Sequence, residues 1–181
     1  MDNATTTIRL PERIFAPAEM EHFEGAWDCS GLLAGPDLYS FAEPLRWEVD
    51  VTNTGDAFLV SGTVEGSAAT ACARCLGDAR FDLLGEVEGY FVVGEGESPD
   101  DLEDDEFDVL PADHAIDLAP LMQAALLLEL PRVPLCQDDC KGICATCGQN
   151  LNDGPCGCAA PEAEPPAAGN PFAKLADLDL G

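Results

Sequence analysis

The chain has 181 residues and a mass of 19.1 kDa, the size of one ordinary domain or of one domain with a small appendage. Asp and Glu number 35 against 8 Lys and Arg, so the formal charge is −27, which excludes a nucleic-acid binder working through a broad basic footprint. Apolar residues make up 46% of the chain, enough for a core, which excludes wholesale disorder.

The first forty-five residues are weakly patterned. The stretch from Thr6 to Phe15 is expected to hold one strand, after which Gly and Pro punctuate the chain up to Pro44. Trp47, Val49 and Val51 then alternate with Arg46, Glu48, Asp50 and Thr52, the pattern of a half-buried strand. Asn53-Thr54-Gly55-Asp56 is turn chemistry. Phe58, Val60 and Val64 share one face of a second strand that runs towards Ala71. Phe81, Leu83, Val87, Phe91 and Val93 share a face of a third, opposite Arg80, Asp82, Glu86 and Glu88. Three such segments form an antiparallel meander.

Glu95 to Asp108 holds nine acidic residues in fourteen and reads as a solvated loop, with a docking strip for a basic partner as the functional alternative. Asp117 is the expected N-cap of a helix with Pro120 in its first turn. Leu118, Leu121, Met122, Ala125 and Leu128 recur at helical spacing, ready to pack on the sheet, until Pro131 stops the helix. Residues 159–169 form a Pro/Ala-rich linker, and Asn170-Pro171 opens a short helix with Phe172, Leu175 and Leu178 on one side. The expected organisation is a core domain over 1–135, a cysteine-rich segment over 136–158, the linker, and the helix over 170–181. The fold class is α+β: an antiparallel β-meander or partly open barrel with a packed helix and a cysteine-rich zinc-binding C-terminal segment.

No basic, apolar leader pattern opens the chain, and the apolar stretch Leu118–Leu130 is too short to span a bilayer. A cytoplasmic protein without a membrane partner is expected. In that reducing compartment nine cysteines point to metal rather than to disulfides. Eight of them fall in close pairs: Cys72 and Cys75, Cys136 and Cys140, Cys144 and Cys147, Cys156 and Cys158. Eight thiolates make two tetrahedral four-sulfur sites, for which zinc is the default ion. Cys29 is left over as a buried or incidental thiol. Gly77, Gly142, Gly148, Gly154 and Gly157 lie beside the pairs, where chelating turns use the positive φ that glycine permits. One grouping sets Cys144, Cys147, Cys156 and Cys158 together and joins Cys136 and Cys140 to Cys72 and Cys75. The other makes one local site of Cys136, Cys140, Cys144 and Cys147, leaving Cys72 and Cys75 to Cys156 and Cys158 or without metal. Spacing alone leaves both open.

Four sulfur ligands leave no open position for a water, so either site is structural rather than catalytic. His22 and His114, the only histidines, stand in no ligand pattern and read as surface residues. No phosphate-binding glycine loop or nucleophile elbow is present, and neither catalytic residues nor a small-molecule substrate are expected.

The residues CARCL, LLLELPRVPLCQDDCKGICATCGQNLN with CGC after it, and NPFAKLADL are similar to those of the YceD family of large ribosomal RNA subunit accumulation proteins. The resemblance covers 72–181 well and the first seventy residues loosely. It implies a bacterial or plastid factor, cytosolic or stromal, supporting accumulation of 23S ribosomal RNA and biogenesis of the large subunit. Members of the family that lack the two later pairs lack them together, which accords with the first grouping.

On this resemblance the expected partner is large-subunit ribosomal RNA or a basic ribosomal protein. Arg74, Arg80, Arg132 and Lys141, half of all the basic residues, cluster in sequence around the cysteine pairs. They are the candidate RNA contacts, or else they offset the charge of the metal–thiolate centres. The alternative function is an acidic adaptor or chaperone for a basic ribosomal protein, with no RNA contact of its own.

Overall fold

A computed structural model of the chain describes residues 6–94 and 107–158. The acidic stretch over 95–106, the linker expected over 159–169 and the helix expected over 170–181 lie outside the described residues. In chain order the elements are β1 (Thr7–Arg9), a 3-10 turn (Glu12–Phe15), β2 (Met20–Trp27), β3 (Gly31–Ala34) and β4 (Asp37–Phe41). They continue with β5 (Leu45–Asn53), β6 (Ala57–Ala71), β7 (Asp78–Val92), β8 (Asp108–Val109), β9 (Ala115–Asp117) and α1 (Ala119–Glu129).

The strand expected within Thr6 to Phe15 is present as β1, and it is short. β1 ends at Arg9, and Pro11, which has no amide hydrogen for a ladder, accepts from the Ile14 N–H at 3.1 Å to close the 3-10 turn. β1 pairs with β9, Ile8 opposite Ile116.

The expected meander is present and central. β6, fifteen residues long, pairs with β7 along its whole length, from Ala57–Val92 to Ala71–Asp78. Its other edge is shared. β5 takes Phe58 to Glu65, and β4 takes Ala68 and Ala69. β2 extends the sheet beyond β5, β3 beyond β4, and the short β8 lies parallel to the end of β7. Alternation sends Trp47, Val49, Val51, Phe58, Val60, Val64, Leu83, Val87 and Phe91 into the core. Val93, expected on that face, lies beyond the end of β7 and is exposed, while Val92 is buried. Asn53, the one buried polar residue among those described, is satisfied: its amide donates to Ile14 O at 2.9 Å and accepts from the Gly55 N–H at 2.7 Å.

α1 covers the inner face of the sheet. Leu118, Met122, Ala125 and Leu126 are buried, and Leu121 packs at the margin. Leu128, expected on this face, is 85% exposed. At about 100° per residue it falls well to one side of the stripe that Leu118, Met122, Ala125 and Leu126 define. The cap also sits one residue differently. Leu118 occupies the N-cap position without a side-chain bond, while the Asp117 carboxylate, also bound by the Thr6 hydroxyl, accepts from the Ala119 N–H at 3.1 Å.

The helix approaches β7 closely because Gly85 faces it. A Cβ at that position would stand 2.9 Å from the carbonyl carbon of Ala125. Gly85→Ala is therefore expected to force helix and strand apart at a cost of about 1–3 kcal/mol. Urea denaturation checks this through a lower midpoint at unchanged slope; a variant as stable as the wild type would refute so close an approach.

Candidate metal centre

The tip of the β6–β7 hairpin carries Cys72 and Cys75, and the chain leaving α1 returns to it. The Ala73 N–H donates to Pro134 O at 2.8 Å, which lays residues 134–140 beside the tip. Cys136 and Cys140 thereby meet Cys72 and Cys75: Cys72 Sγ stands 3.8 Å from Cys140 Sγ, and Cys75 Sγ stands 3.6 Å from Cys136 Sγ. All four sulfurs lie within 4.8 Å of one another. Four sulfurs at about 2.3 Å from one ion stand about 3.8 Å apart along the edges of a tetrahedron, which the two distances match, so the donor set suits a tetrahedral ion. Cys72, Cys75 and Cys140 are buried with Ala79, under Phe81 and Leu135.

Cys144, Cys147, Cys156 and Cys158 form a second group within the same 4.8 Å limit. Of the two groupings open in the sequence, the structure adopts the one that splits Cys136 and Cys140 from Cys144 and Cys147. The outer group differs from the inner one in burial, since no residue from 143 to 158 is buried.

Both Cys-x2-Cys turns have the same backbone. The N–H four residues after the first cysteine donates back to its carbonyl, Leu76 to Cys72 at 2.9 Å and Gly148 to Cys144 at 2.8 Å. The N–H of the first cysteine donates forward five residues, Cys72 to Gly77 O at 2.7 Å and Cys144 to Gln149 O at 2.8 Å. Both turns require a left-handed residue straight after the second cysteine, Leu76 with φ 60° and Gly148 with φ 73°. Gly142 and Gly154 also use positive φ, but Gly77 and Gly157 do not, which corrects the expectation for those two. In the inner turn the position that favours glycine holds an exposed leucine.

Backbone donors and sulfur crowding divide the thiols of each group. Burial opposes ionisation of Cys72, yet N–H groups of Cys75, Cys136 and Arg74 aimed at its sulfur bring it down to about 6. Desolvation of the sulfur, with thiol contacts from Cys75, Cys140 and Cys72, pushes Cys136 up to about 12. In the outer group the N–H groups of Cys147 and Thr146 and the Cys156 thiol lower Cys144 to about 6. The Cys147 side chain, then burial and the charges of Cys147 and Cys144, push Cys158 up to about 12. Each group thus has at least one thiol held below its ordinary range, the inner group also Cys140 through the Asn152 amide, and one held well above it.

The four basic residues do not form one surface. The Arg74 guanidinium donates to Cys140 O at 3.0 Å and braces the inner group. Lys141 adjoins that group and is exposed, as is Arg132, and neither takes part in an ion pair among the described residues. Arg80 points away: Ala79 packs on the inner cysteines, so by strand alternation Arg80 projects from the opposite face of β7, into a groove with Glu65 and Asp82. His22 pairs with Asp50 at 2.8 Å on the outer sheet face, and His114 stacks on Phe15 at 4.5 Å; neither is near a cysteine group. Asn152, which the sequence did not single out, proves to touch the inner group at the Cys140 sulfur, with Asn150 holding its side chain, and only their place in the dense CGQNLN run pointed to them.

A family model described as large ribosomal RNA subunit accumulation protein YceD matches residues 60–179, a stretch that contains all eight paired cysteines. The chain belongs to the YceD family. Uncharacterized proteins of Mycobacterium bovis and Mycobacterium tuberculosis are each 32% identical to it over 111 residues, 61% of this chain and 53% of theirs. One from Mycobacterium leprae is 30% identical over 114 residues, 63% of this chain and 52% of its own. The chain spans about half the length of these curated relatives. No solved structure matches this YceD family chain.

Strain at Leu76 gives a direct test of the turn geometry. Leu76→Gly should stabilise the protein by up to about 1 kcal/mol, because the left-handed conformation no longer opposes a Cβ and the lost side chain is 69% exposed. Leu76→Val, β-branched, should destabilise it by about 1–2 kcal/mol. Thermal midpoints of the two variants in the opposite order would overturn the assignment of the strain.

Proposed function

We propose that the protein is a non-catalytic zinc-binding factor that supports accumulation of 23S ribosomal RNA and biogenesis of the large ribosomal subunit. One zinc would be held by Cys72, Cys75, Cys136 and Cys140, the other by Cys144, Cys147, Cys156 and Cys158. The observation that carries the reading is the gathering of the four inner sulfurs within 4.8 Å, two of their separations matching the edges of a zinc–sulfur tetrahedron. All-thiolate donors select zinc among abundant ions and close its coordination, so the metal supplies cross-linking rather than chemistry. The outer segment buries no residue, and a segment without a core of its own draws its stability from a bound ion. The setting is the reducing cytoplasm, which keeps thiols free for metal; no helix among the described residues is long and apolar enough to cross a membrane.

Two zinc ions per chain are expected by elemental analysis, and one after Cys144→Ser/Cys147→Ser; one in the wild type would refute the two-site scheme. Binding must weaken as pH falls, because the metal displaces thiol protons. Above about pH 6, Cys72 and Cys144 are already ionised, and the protons come chiefly from groups such as Cys136 and Cys158. Below it Cys72 and Cys144 protonate as well, so the fall in log affinity per pH unit should steepen there. Calorimetry across the range checks this; a slope that flattens on acidification would overturn it.

The reading places RNA contact at the cysteine end, through Arg132 and Lys141, since Arg74 is occupied with Cys140 and Arg80 faces elsewhere. Crosslinking in cells should attach ribosomal RNA, less so in Arg132→Gln/Lys141→Gln, with marked salt dependence in vitro. Unchanged RNA capture by that variant would sink the contact. The second reading, an adaptor for a basic ribosomal protein, draws support from the outward sheet face, where Glu24, Glu48, Glu65, Asp82, Glu86 and Glu88 are exposed. Attachment of a basic protein without RNA would select it.

A further inference from the structure

Cys140 is gripped from both sides. Arg74 holds its carbonyl, and its sulfur accepts a hydrogen bond from the Asn152 amide Nδ2 at 3.3 Å. Asn152 belongs to the other group's loop, between Cys147 and Cys156. Its carbonyl oxygen accepts from the Lys141 N–H at 2.8 Å and from Gln137 Nε2 at 3.4 Å, so one side chain binds three neighbours in the inner segment. Asn152 is itself fixed within the outer loop. The Asn150 side-chain Oδ1 accepts from Asn152 Nδ2 at 2.9 Å and from the Asn152 backbone N–H at 3.0 Å. Asn150 is anchored in turn by its antiparallel bridge to Ile143, next to Cys144, and the Leu151 N–H donates to Gly142 O at 2.9 Å.

We propose that Asn152 is a positioning residue through which metal at the outer cysteine group strengthens metal binding at the inner one. The inference rests on the zinc reading above. The outer loop has no buried residue to hold it, so closing Cys144, Cys147, Cys156 and Cys158 on an ion is what fixes the turn from Asn150 to Asn152. Once fixed, the Asn152 amide stands ready to donate to the Cys140 thiolate and to hold the Cys140–Lys141 backbone, lowering the ordering cost of the inner site. N–H donors to metal-bound sulfur act on ligand orientation and charge, and their loss commonly weakens binding about 10–100-fold. By linkage the strengthening is mutual: inner-site metal favours the outer site by the same factor.

The test is zinc titration of the full chain against a chromophoric chelator, with the cobalt(II) spectrum as a second readout. Asn152→Ala and Asn152→Asp should still take up two ions, one of them about 10–100-fold more weakly, with a shifted sulfur-to-cobalt charge-transfer band. Asn152→Asp keeps the acceptor for Lys141 and Gln137 and loses both Nδ2 donations, to the Cys140 sulfur and to Asn150, so the readout that separates the roles is the sulfur-to-cobalt band, which a purely structural role would leave unshifted. Cys144→Ser/Cys147→Ser should weaken its remaining inner site to a similar degree, and adding Asn152→Ala to it should change affinity by less than about two-fold. Inner-site affinity within about two-fold of wild type in Asn152→Asp or in Cys144→Ser/Cys147→Ser would overturn the proposal while leaving two-zinc binding intact. Uptake of fewer than two ions by the wild type would overturn the zinc reading, and the coupling with it.

Discussion

Cys72 and Cys140 are sixty-eight residues apart, and their meeting depends on how α1 lies on β7. Contacts run from Leu121 over Gly89 to Ala125 over Gly85, so the helix advances antiparallel to the strand, towards the hairpin tip. Its burial against β7 fixes that direction, while the 3-10 turn covers the Phe58 end of β6 through Phe15. Pro131 then ends the helix and the chain arrives beside Ala73 with the thiols in reach. Rotating α1 or moving it by a turn would bury different leucines and carry Cys136 and Cys140 away from their partners. The inner group is thus placed by ordinary hydrophobic packing of the helix on the sheet.

The outer group has the opposite dependence. Its turn copies the inner one bond for bond, yet it rests on hydrogen bonds among exposed residues. Exposed hydrogen bonds contribute little net stability, about 1 kcal/mol each at most, against ordering costs of similar size per residue. A loop with such a balance holds one conformation only if something further cross-links it. Sequence pairing of the cysteines and the density of glycine both express that need.

What was legible in the sequence follows the same division. β5, β6 and β7 could be read because each buries one face and exposes the other, leaving strict alternation. The cysteine spacing could be read because tetrahedral chelation from a short turn admits few arrangements. β2, β3 and β4 could not, since β2 carries Glu21 and Gly25 on its inward side and β3 and β4 are too short to establish a period. Leu128 misled because three successive leucines, Leu126 to Leu128, satisfy several helical phases, and only the sheet selects one. Leu76 was missed for a different reason: a neighbouring glycine at 77 seemed to meet the need for positive φ, whereas the turn sets that need one residue earlier. The roles of Asn150 and Asn152 depend on contacts between two loops, and no local pattern records those.

Charge takes on a spatial meaning once the fold is known. The outward face of the long strands is acidic, so phosphate approaching from that side is repelled. At the cysteine end Arg132 and Lys141 stand without ion pairs among the described residues, but Asp138 and Asp139 lie between them in sequence and are exposed as well. In the zinc reading each site adds a further charge of −2, since four thiolates outweigh one divalent ion. A contact with RNA would therefore be small, strongly directional and confined to one end of the molecule. A basic protein would find the larger complementary surface on the sheet. These two surfaces lie on different parts of the fold, so a factor that holds a basic protein on one and touches RNA with the other requires no competition between them.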